Sequence, residues 1–347
     1  MPTKDEVMKA LESVMDPELG RNIVDLNMIR ELVITEDGKV SLTLALTVPS
    51  CPLREKISND TRETILTLKD VTEVSIKIGA MTEEERRAVF GKAQPSLPKL
   101  NQFNKVGKVI AIMSGKGGVG KSSVTAMLAV ALAKKCQKVG VLDADITGPS
   151  IPKLFGLPSG GLRSGPQGML PPVTSLGIKV MSINLILDNE DTPVIWRGPM
   201  ISSAITQFWT DVLWGNLDFL LVDLPPGTSD AALTVVQALP INGVILVTSP
   251  QQLSAMVVKK ASSMLTQLNI PVLGVVENMS YFLPPDGTKK YEIFGPSHAQ
   301  EVAAATSAKV LAQLPIMPVV AEQGDNGQIE QTNVDVLNGL VDTLLAK

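Results

Sequence analysis

One short stretch, GKGGVGKS at residues 115–122, constrains the fold of this chain more than any other segment. It follows an apolar run typical of a β-strand, KVIAIMS, and precedes a run with helical periodicity, KSSVTAMLAVALAKK. A glycine-rich turn between a strand and a helix is the setting of a phosphate-binding loop, because its backbone N–H groups and the positive end of the helix meet at one anion. The pattern therefore predicts a domain that begins with a strand–loop–helix unit and binds a nucleotide.

The chemistry of the loop residues suggests how they divide the work. Lys121 is predicted to reach the β- and γ-phosphates of ATP, and the Ser122 hydroxyl to ligate Mg²⁺. The second lysine, Lys116, would add positive charge beside the triphosphate, where charge develops during transfer; a solvated lysine is the alternative. The other predicted nucleotide-binding residues are Gly115, Gly117, Gly118, Val119, Gly120 and Ser123.

Residues 108–347 alternate continuous apolar segments with helical ones, which predicts an α/β fold with a doubly wound, mostly parallel sheet. Residues 1–90 have the order α-β-β-α-β and predict a small α+β domain. Residues 91–107, rich in proline and without periodicity, are predicted to be a linker. The apolar segments taken as strands of the large domain are KVIAIMS, KVGVLDAD, FLLVDLP, GVILVTS, PVLGVVEN and KVLAQLP.

Three aspartates stand where predicted strands end, the edge at which such sheets bind ligands. Asp223 follows four apolar residues and is predicted to hold Mg²⁺ through water. Asp143 is a second candidate Mg²⁺ ligand, and Asp145 a catalytic candidate that positions the attacking water. The alternative for either residue of this pair is that it caps the helix that DITGPS predicts.

Composition argues against several other functions. The net charge is −4 and aromatic residues make up 3%, which disfavours nucleic acid as a partner. The first residues lack the apolar core of a signal peptide, and the longest apolar runs are shorter than the roughly 20 residues of a membrane span. Two cysteines, Cys51 and Cys136, suit a reducing compartment. We therefore expect a cytoplasmic protein that works without a membrane.

KGGVGKS resembles the signature of the deviant Walker ATPases, the class of MinD, ParA and the nitrogenase iron protein. The resemblance implies a homodimer in which Lys116 reaches the partner's phosphates. DADITGPSIPKLFG, VIWRGPM, DLPPGTSD and VVENMSYF resemble the Mrp/ApbC family of iron–sulfur cluster carrier ATPases, and DPELG and TVPSCPL resemble a SufT-like domain. This implies an ATP hydrolase that transfers clusters to apoproteins, switched by ATP-dependent dimer closure. The alternative is a chaperone-like or MinD/ParA-like dimeric ATPase that carries no cluster.

The same resemblance implies further site residues. Asn278 would read the adenine edge through its amide, and QLPI at 313–316 would line the base pocket. Arg197 would lie near the nucleotide or the dimer seam, or else extend beside Trp196.

One family feature is missing. The family carries a C-x-x-C shortly after the ENMS segment, and this chain reads ENMSYFLPPDGTKKYEIFG with no cysteine after Cys136. Cys51, just before a predicted helix, is then the candidate thiol ligand of an iron–sulfur cluster, or a transfer or redox thiol. Its alternative is a buried cysteine that packs under the helix. Cys136 is expected to be filler, and His298 is assigned no role.

Overall fold

The computed structural model describes residues 2–16, 21–35, 37–46, 54–82, 85, 99–146, 148–187, 198–227, 230–285, 287 and 289–346. Of these, residues 54–55, 198–199, 230 and 252–259 are described by their backbone alone. The chain divides into two compact units, Met1–Ser96 and Leu97–Lys347, which are considered separately.

The smaller unit is an α+β fold with a three-stranded sheet in its described part. Its first helix begins at a capping box, in which the Thr3 hydroxyl accepts the Glu6 N–H and the Glu6 carboxylate accepts the Thr3 N–H. The central strand, β4, pairs antiparallel with β3 and parallel with β5, and its burial alternates from Lys39 to Thr43 and is continuous from Leu44 to Leu46. The elements are α1 (Lys4–Leu11), β1 (Met15–Asp16), β2 (Arg21–Asn22), β3 (Ile29–Ile34), β4 (Lys39–Leu46), α2 (Arg54–Leu66) and β5 (Glu73–Ala80).

The larger unit alternates strands and helices. Its strands are β6 (Lys105–Ser114), β7 (Val139–Asp143), β8 (Arg163–Gly165), β9 (Gly168–Leu170), β10 (Lys179–Met181), β11 (Asn216–Asp223), β12 (Gly243–Thr248), β13 (Val272–Tyr281) and β14 (Val310–Pro315). Its helices are α3 (Lys121–Lys134), α4 (Ile151–Leu154), α5 (Gly198–Thr210), α6 (Asp230–Ala238), α7 (Gln252–Gln267), α8 (Ala299–Ala305), α9 (Pro318–Asp325) and α10 (Asn338–Leu345).

Seven of the described strands form one parallel sheet in the order β10-β7-β11-β6-β12-β13-β14. This confirms the predicted doubly wound α/β fold. The edge strand β10 is not among the six predicted strands, because its three residues are too few to show a strand pattern. The strand β6 begins at Lys105, inside the segment predicted as linker, because its first residues alternate in exposure before the buried run begins.

Both faces of the sheet are covered. Successive residues of β6 alternate between two cores, so that Ile110 and Ile112 pack on the side of α3 and α10, whereas Ala111 and Met113 pack on the side of α5 to α8. Continuous burial on both faces explains the uninterrupted apolar strands of the sequence. Polar side chains are consequently concentrated at the carboxyl ends of the strands, where Ser114, Asp143 and Asp223 stand.

Candidate nucleotide site

The loop 115–120 joins the end of β6 to the start of α3, as the sequence predicts. Gly120 is the N-cap residue of α3 and has a φ of 77°, a left-handed conformation that favours glycine. A Cβ at Gly120 would also lie 2.4 Å from Nδ2 of Asn278. Backbone conformation and the neighbouring side chain therefore both require glycine where the loop enters the helix.

Lys121 and Ser122 both point at one carboxylate oxygen. Nζ of Lys121 lies 2.7 Å from Oδ2 of Asp223, and the Ser122 hydroxyl donates to the same oxygen at 2.6 Å. The Asp223 side chain is fully buried and Lys121 is 6% exposed. The predicted phosphate lysine, the predicted Mg²⁺ hydroxyl and the predicted Mg²⁺ carboxylate therefore converge on one point at the start of α3.

Asp143 lies opposite Asp223 in the register of β7 and β11, and it is also fully buried. Its Oδ2 accepts the N–H groups of Ser150 and Ile151, both at 3.1 Å, and lies 3.3 Å from the Ser182 hydroxyl. Asp143 thus holds the first turn of α4, the capping arrangement weighed against its role as an Mg²⁺ ligand. That ligand role remains a prediction.

Burial is the main cause that raises the pKa of Asp143 to about 8, and the nearby Asp223 carboxylate is the second cause. The N–H of Ile151 and the Lys121 ammonium act in the opposite direction. Two buried carboxyl groups therefore face one ammonium, and burial beside Asp223 favours the protonated form of Asp143 near neutral pH.

The proton on Asp143 predicts a pH dependence of folding. In the unfolded chain this carboxyl ionises near 3.8, whereas in the folded protein it does so near 8, so the folded state binds the extra proton between these values. Stability should fall as the pH rises through this window, by at most about 1.4 kcal/mol per pH unit, and level off above it. Urea unfolding without nucleotide across this range should show a steeper loss of stability with rising pH in the wild type than in Asp143→Asn. Equal slopes in the two proteins would contradict the assignment.

Asp145, two residues after Asp143, has a different environment. Its backbone N–H donates to Oδ1 of Asp143 at 3.2 Å, and its own Oδ1 accepts the N–H of Gly148 at 3.2 Å. Asp145 is half-buried, whereas Asp143 is fully enclosed. Of the two residues, Asp145 is the one with access to solvent, and its catalytic role remains a prediction.

Asn278 contacts the phosphate loop from β13. Its Nδ2 donates to the carbonyl of Val119 at 3.0 Å, and its Oδ1 accepts the N–H of Met279 at 3.0 Å. The predicted base-reading residue is thus held against the loop, and its contact with adenine remains a prediction.

Gln313, in the segment predicted to line the base pocket, belongs to a second polar cluster. Its Nε2 donates to Oε2 of the fully buried Glu277 at 3.1 Å and to the Ser297 hydroxyl at 2.7 Å. Glu277 also accepts the hydroxyl of Ser280 and the N–H of His298. This cluster joins β13 and β14 to the start of α8, and His298, left unassigned in the sequence, takes part through its backbone.

Lys116 has a partner within its own chain. Its ammonium contacts Oε1 of Gln251, the N-cap residue of α7. The second lysine of the loop is therefore held by the connection after β12, at the same sheet edge as the phosphate loop. Its reach into a partner subunit remains a prediction.

Other predicted residues are placed as follows. Cys51 and Arg197 lie outside the described residues. Cys136 is exposed just past the end of α3, so of the two predicted locations, core and surface, it has the surface one. Across the described part of the chain, no group of three or more His, Cys, Asp and Glu side chains is arranged to hold a metal ion.

Two residues of the site were missed in the sequence. The hydroxyl of Thr125 lies 2.7 Å from Oδ1 of Asp223, and a signal existed because Thr125 is one helical turn after Lys121. Ser182 follows β10 and contacts Asp143. No local pattern points to Ser182, since its position depends on an edge strand that the sequence does not reveal.

Comparison with known proteins decides the family. Residues 105–343 match the model of the ParA family, described as NUBPL iron-transfer P-loop NTPase. The chain belongs to this family of iron-transfer P-loop NTPases. Residues 4–76 match a second model, described as iron-sulfur cluster assembly protein. The resemblance stated from the motifs is confirmed for both units of the chain.

Two curated relatives match this chain over nearly its full length. An iron-sulfur cluster carrier protein of Synechocystis sp. is 44% identical over 331 residues, which cover 94% of this chain and 91% of the relative. One of Mycobacterium leprae is 39% identical, covering 93% and 86%. The solved structure of a nucleotide-binding protein from Archaeoglobus fulgidus, in complex with ADP, is 45% identical with a TM-score of 0.61, and the match covers 67% of this chain and 91% of that one.

None of the helices in the described part of the chain combines the length and the apolar character needed to cross a bilayer.

Proposed function

We propose that this protein is a cytoplasmic ATPase that binds iron–sulfur clusters and hands them to apoproteins, with ATP binding closing a homodimer. The observation that carries the ATPase part is the convergence of Lys121 and Ser122 on Asp223 beneath a glycine-rich helix start. The cargo is supported by the family of iron-transfer NTPases and by the names of the carrier relatives.

The residues of the loop fit Mg²⁺ and a nucleotide. Ser122 and Asp223 present oxygen ligands 2.6 Å apart, and hard cations such as Mg²⁺ prefer oxygen. When bound, Mg²⁺ would neutralise charge on the phosphates during transfer. Ser122 would ligate it directly and Asp223 through water, while the loop N–H groups hold the phosphates.

Nucleotide binding requires Lys121 to change partner. In the structure its ammonium is paired with Asp223, and on nucleotide binding it would turn to the β- and γ-phosphates. Asp145, the more exposed of the two acids after β7, would position the attacking water. Asn278, already against Val119, would contact the adenine.

Dimer closure would complete the site. Lys116 is half-buried, and among the described contacts its ammonium is held only by a flexible glutamine side chain from its own chain. If the Lys116 ammonium left Gln251 for the partner's triphosphate, it would add positive charge where phosphoryl transfer develops negative charge. ATP would thereby favour the closed dimer over the open state, which is the switch that the carrier role needs.

The cluster would depend on Cys51, because the chain has no cysteine after residue 136. Thiolates are the usual ligands of iron–sulfur clusters, and a dimer supplies one Cys51 from each subunit. Two thiolates hold a cluster in part, leaving positions for thiols of the recipient apoprotein. Transfer would then proceed by ligand exchange.

Anaerobic reconstitution with iron and sulfide tests the cargo. The wild type should acquire the visible absorbance of a cluster and activate an apoprotein, whereas Cys51→Ala should do neither. Cys136→Ala is the matched control, since it removes the other cysteine, which is exposed after α3, and it should behave as wild type. All three proteins should hydrolyse ATP at the same rate.

The missing C-x-x-C supports a second candidate, an assembly ATPase that carries no cluster itself. The same experiment separates the two. A wild type that binds no cluster, yet hydrolyses ATP, would refute the carrier and favour the assembly ATPase.

A further inference from the structure

The side chain of Thr125 is buried inside the site and has no part in the functions assigned so far. It is fully buried in the second turn of α3, and its Oγ1 lies 2.7 Å from Oδ1 of Asp223 and 3.0 Å from the carbonyl of Lys121. A threonine hydroxyl has one proton to donate. The shorter, charge-assisted contact with Asp223 is the stronger of the two.

The two oxygens of Asp223 have separate sets of donors. Oδ2 accepts contacts from the Lys121 ammonium and the Ser122 hydroxyl. These are the two residues that would change partner when nucleotide and Mg²⁺ bind. Oδ1 receives Thr125, which is not part of the phosphate loop. When Lys121 and Ser122 turn to their ligands, Asp223 loses both donors on Oδ2 and keeps Thr125 on Oδ1.

We infer that Thr125 is the positioning residue that holds the Asp223 carboxylate in the orientation that presents Oδ2 to a water of the Mg²⁺ site. This rests on the proposed role of Asp223 in binding Mg²⁺. Without the hydroxyl, a buried carboxylate would lose a fixed donor and rotate about its terminal torsion, which has a broad and shallow profile. Side chains that orient the groups around a metal ion from outside its coordination sphere typically affect metal affinity by about 10–100-fold.

The test measures ADP binding as a function of Mg²⁺ concentration, so that the readout is not turnover. Thr125→Val removes the hydroxyl but keeps the branched shape, and it should raise the Mg²⁺ midpoint by about tenfold or more. ADP affinity in EDTA should not change. Thr125→Ser retains the hydroxyl and should restore the wild-type midpoint to within about a factor of three. Thr125→Ala tests the same loss if valine prevents folding.

Thr61→Val is the matched control. Thr61 is also fully buried, and its hydroxyl donates to the carbonyl four residues earlier, like the second contact of Thr125. It lies in the smaller unit, and the Mg²⁺ midpoint should be that of the wild type. Thr125→Val with an unchanged midpoint, or with ADP affinity reduced equally in EDTA, would overturn the inference. Wild-type ADP binding that does not respond to Mg²⁺ would instead refute the proposed metal site itself.

Discussion

Lys121→Met should destabilise the nucleotide-free protein by about 3 kcal/mol and reduce ATP turnover by at least about 10²-fold. The stability loss follows from burial, since Lys121 is 6% exposed and is paired at 2.7 Å with an aspartate that is fully buried. Removal of the ammonium leaves two facing carboxyl groups, Asp143 and Asp223, without a cation among their described contacts. Urea unfolding and steady-state ATP hydrolysis measure the two effects independently.

A double variant distinguishes electrostatics from catalysis. In Lys121→Met with Asp223→Asn, the uncompensated charge is absent, so most of the lost stability should return. Turnover should stay low, because the phosphate lysine and the Mg²⁺ carboxylate are both missing. A single Lys121→Met variant as stable as the wild type would show that the buried pair has no net effect on folding.

Lys116→Ala should have the second large effect, a loss of about 10³-fold in ATP turnover together with loss of ATP-dependent dimerisation. The expected loss of turnover is that seen when a cation supplied to a neighbouring active site is removed, because such a cation stabilises charge in the transition state. Light scattering or sedimentation with ATP measures the dimer, and phosphate release measures turnover. Folding should be little affected, because Lys116 is only half-buried and its described side-chain contact, with Gln251, lies at the surface.

Two controls test whether Lys116 acts across the dimer. Gln251→Ala removes the partner of Lys116 in its own chain and should leave turnover and dimerisation at least as high as in the wild type. A local role for the contact would instead make Gln251→Ala resemble Lys116→Ala. Mixing Lys116→Ala with Ser122→Ala should restore part of the activity, since the site with an intact Ser122 then receives Lys116 from the other subunit. Absence of rescue would refute action in trans.

Much of the fold could be predicted because its signals are local. Buried runs such as those of β6 and β11 are uniformly apolar since both faces of the sheet are covered, and this pattern is visible without coordinates. The three residues of β10 are an exception. A strand that short is stabilised by its pairing with β7, so its sequence carries no strand pattern of its own.

The site was only partly predictable, because some of its residues are placed by local patterns and others by tertiary packing. Lys121, Ser122 and Asp223 were identified because each occupies a set place in a strand–loop–helix pattern. The sequence left open whether Asp143 binds a metal or caps a helix, and the structure shows its carboxylate at the first N–H groups of α4. Which of these two aspartates, Asp143 or Asp145, turns inward depends on packing around β7, and no spacing in the sequence encodes it.

The sequence by itself determined the phosphate loop, the alternation of buried strands and helices, and the absence of the family's cysteine pair, because each is a property of neighbouring residues. Only the tertiary structure decided that Asp223 lies opposite Asp143 and that the Thr125 hydroxyl donates to Asp223. It also decided that the Lys116 ammonium contacts Gln251. These contacts join residues from different strands and helices. They exist because the sheet places β11 between β6 and β7 and places β12 on the other side of β6, an order that differs from the order of the chain.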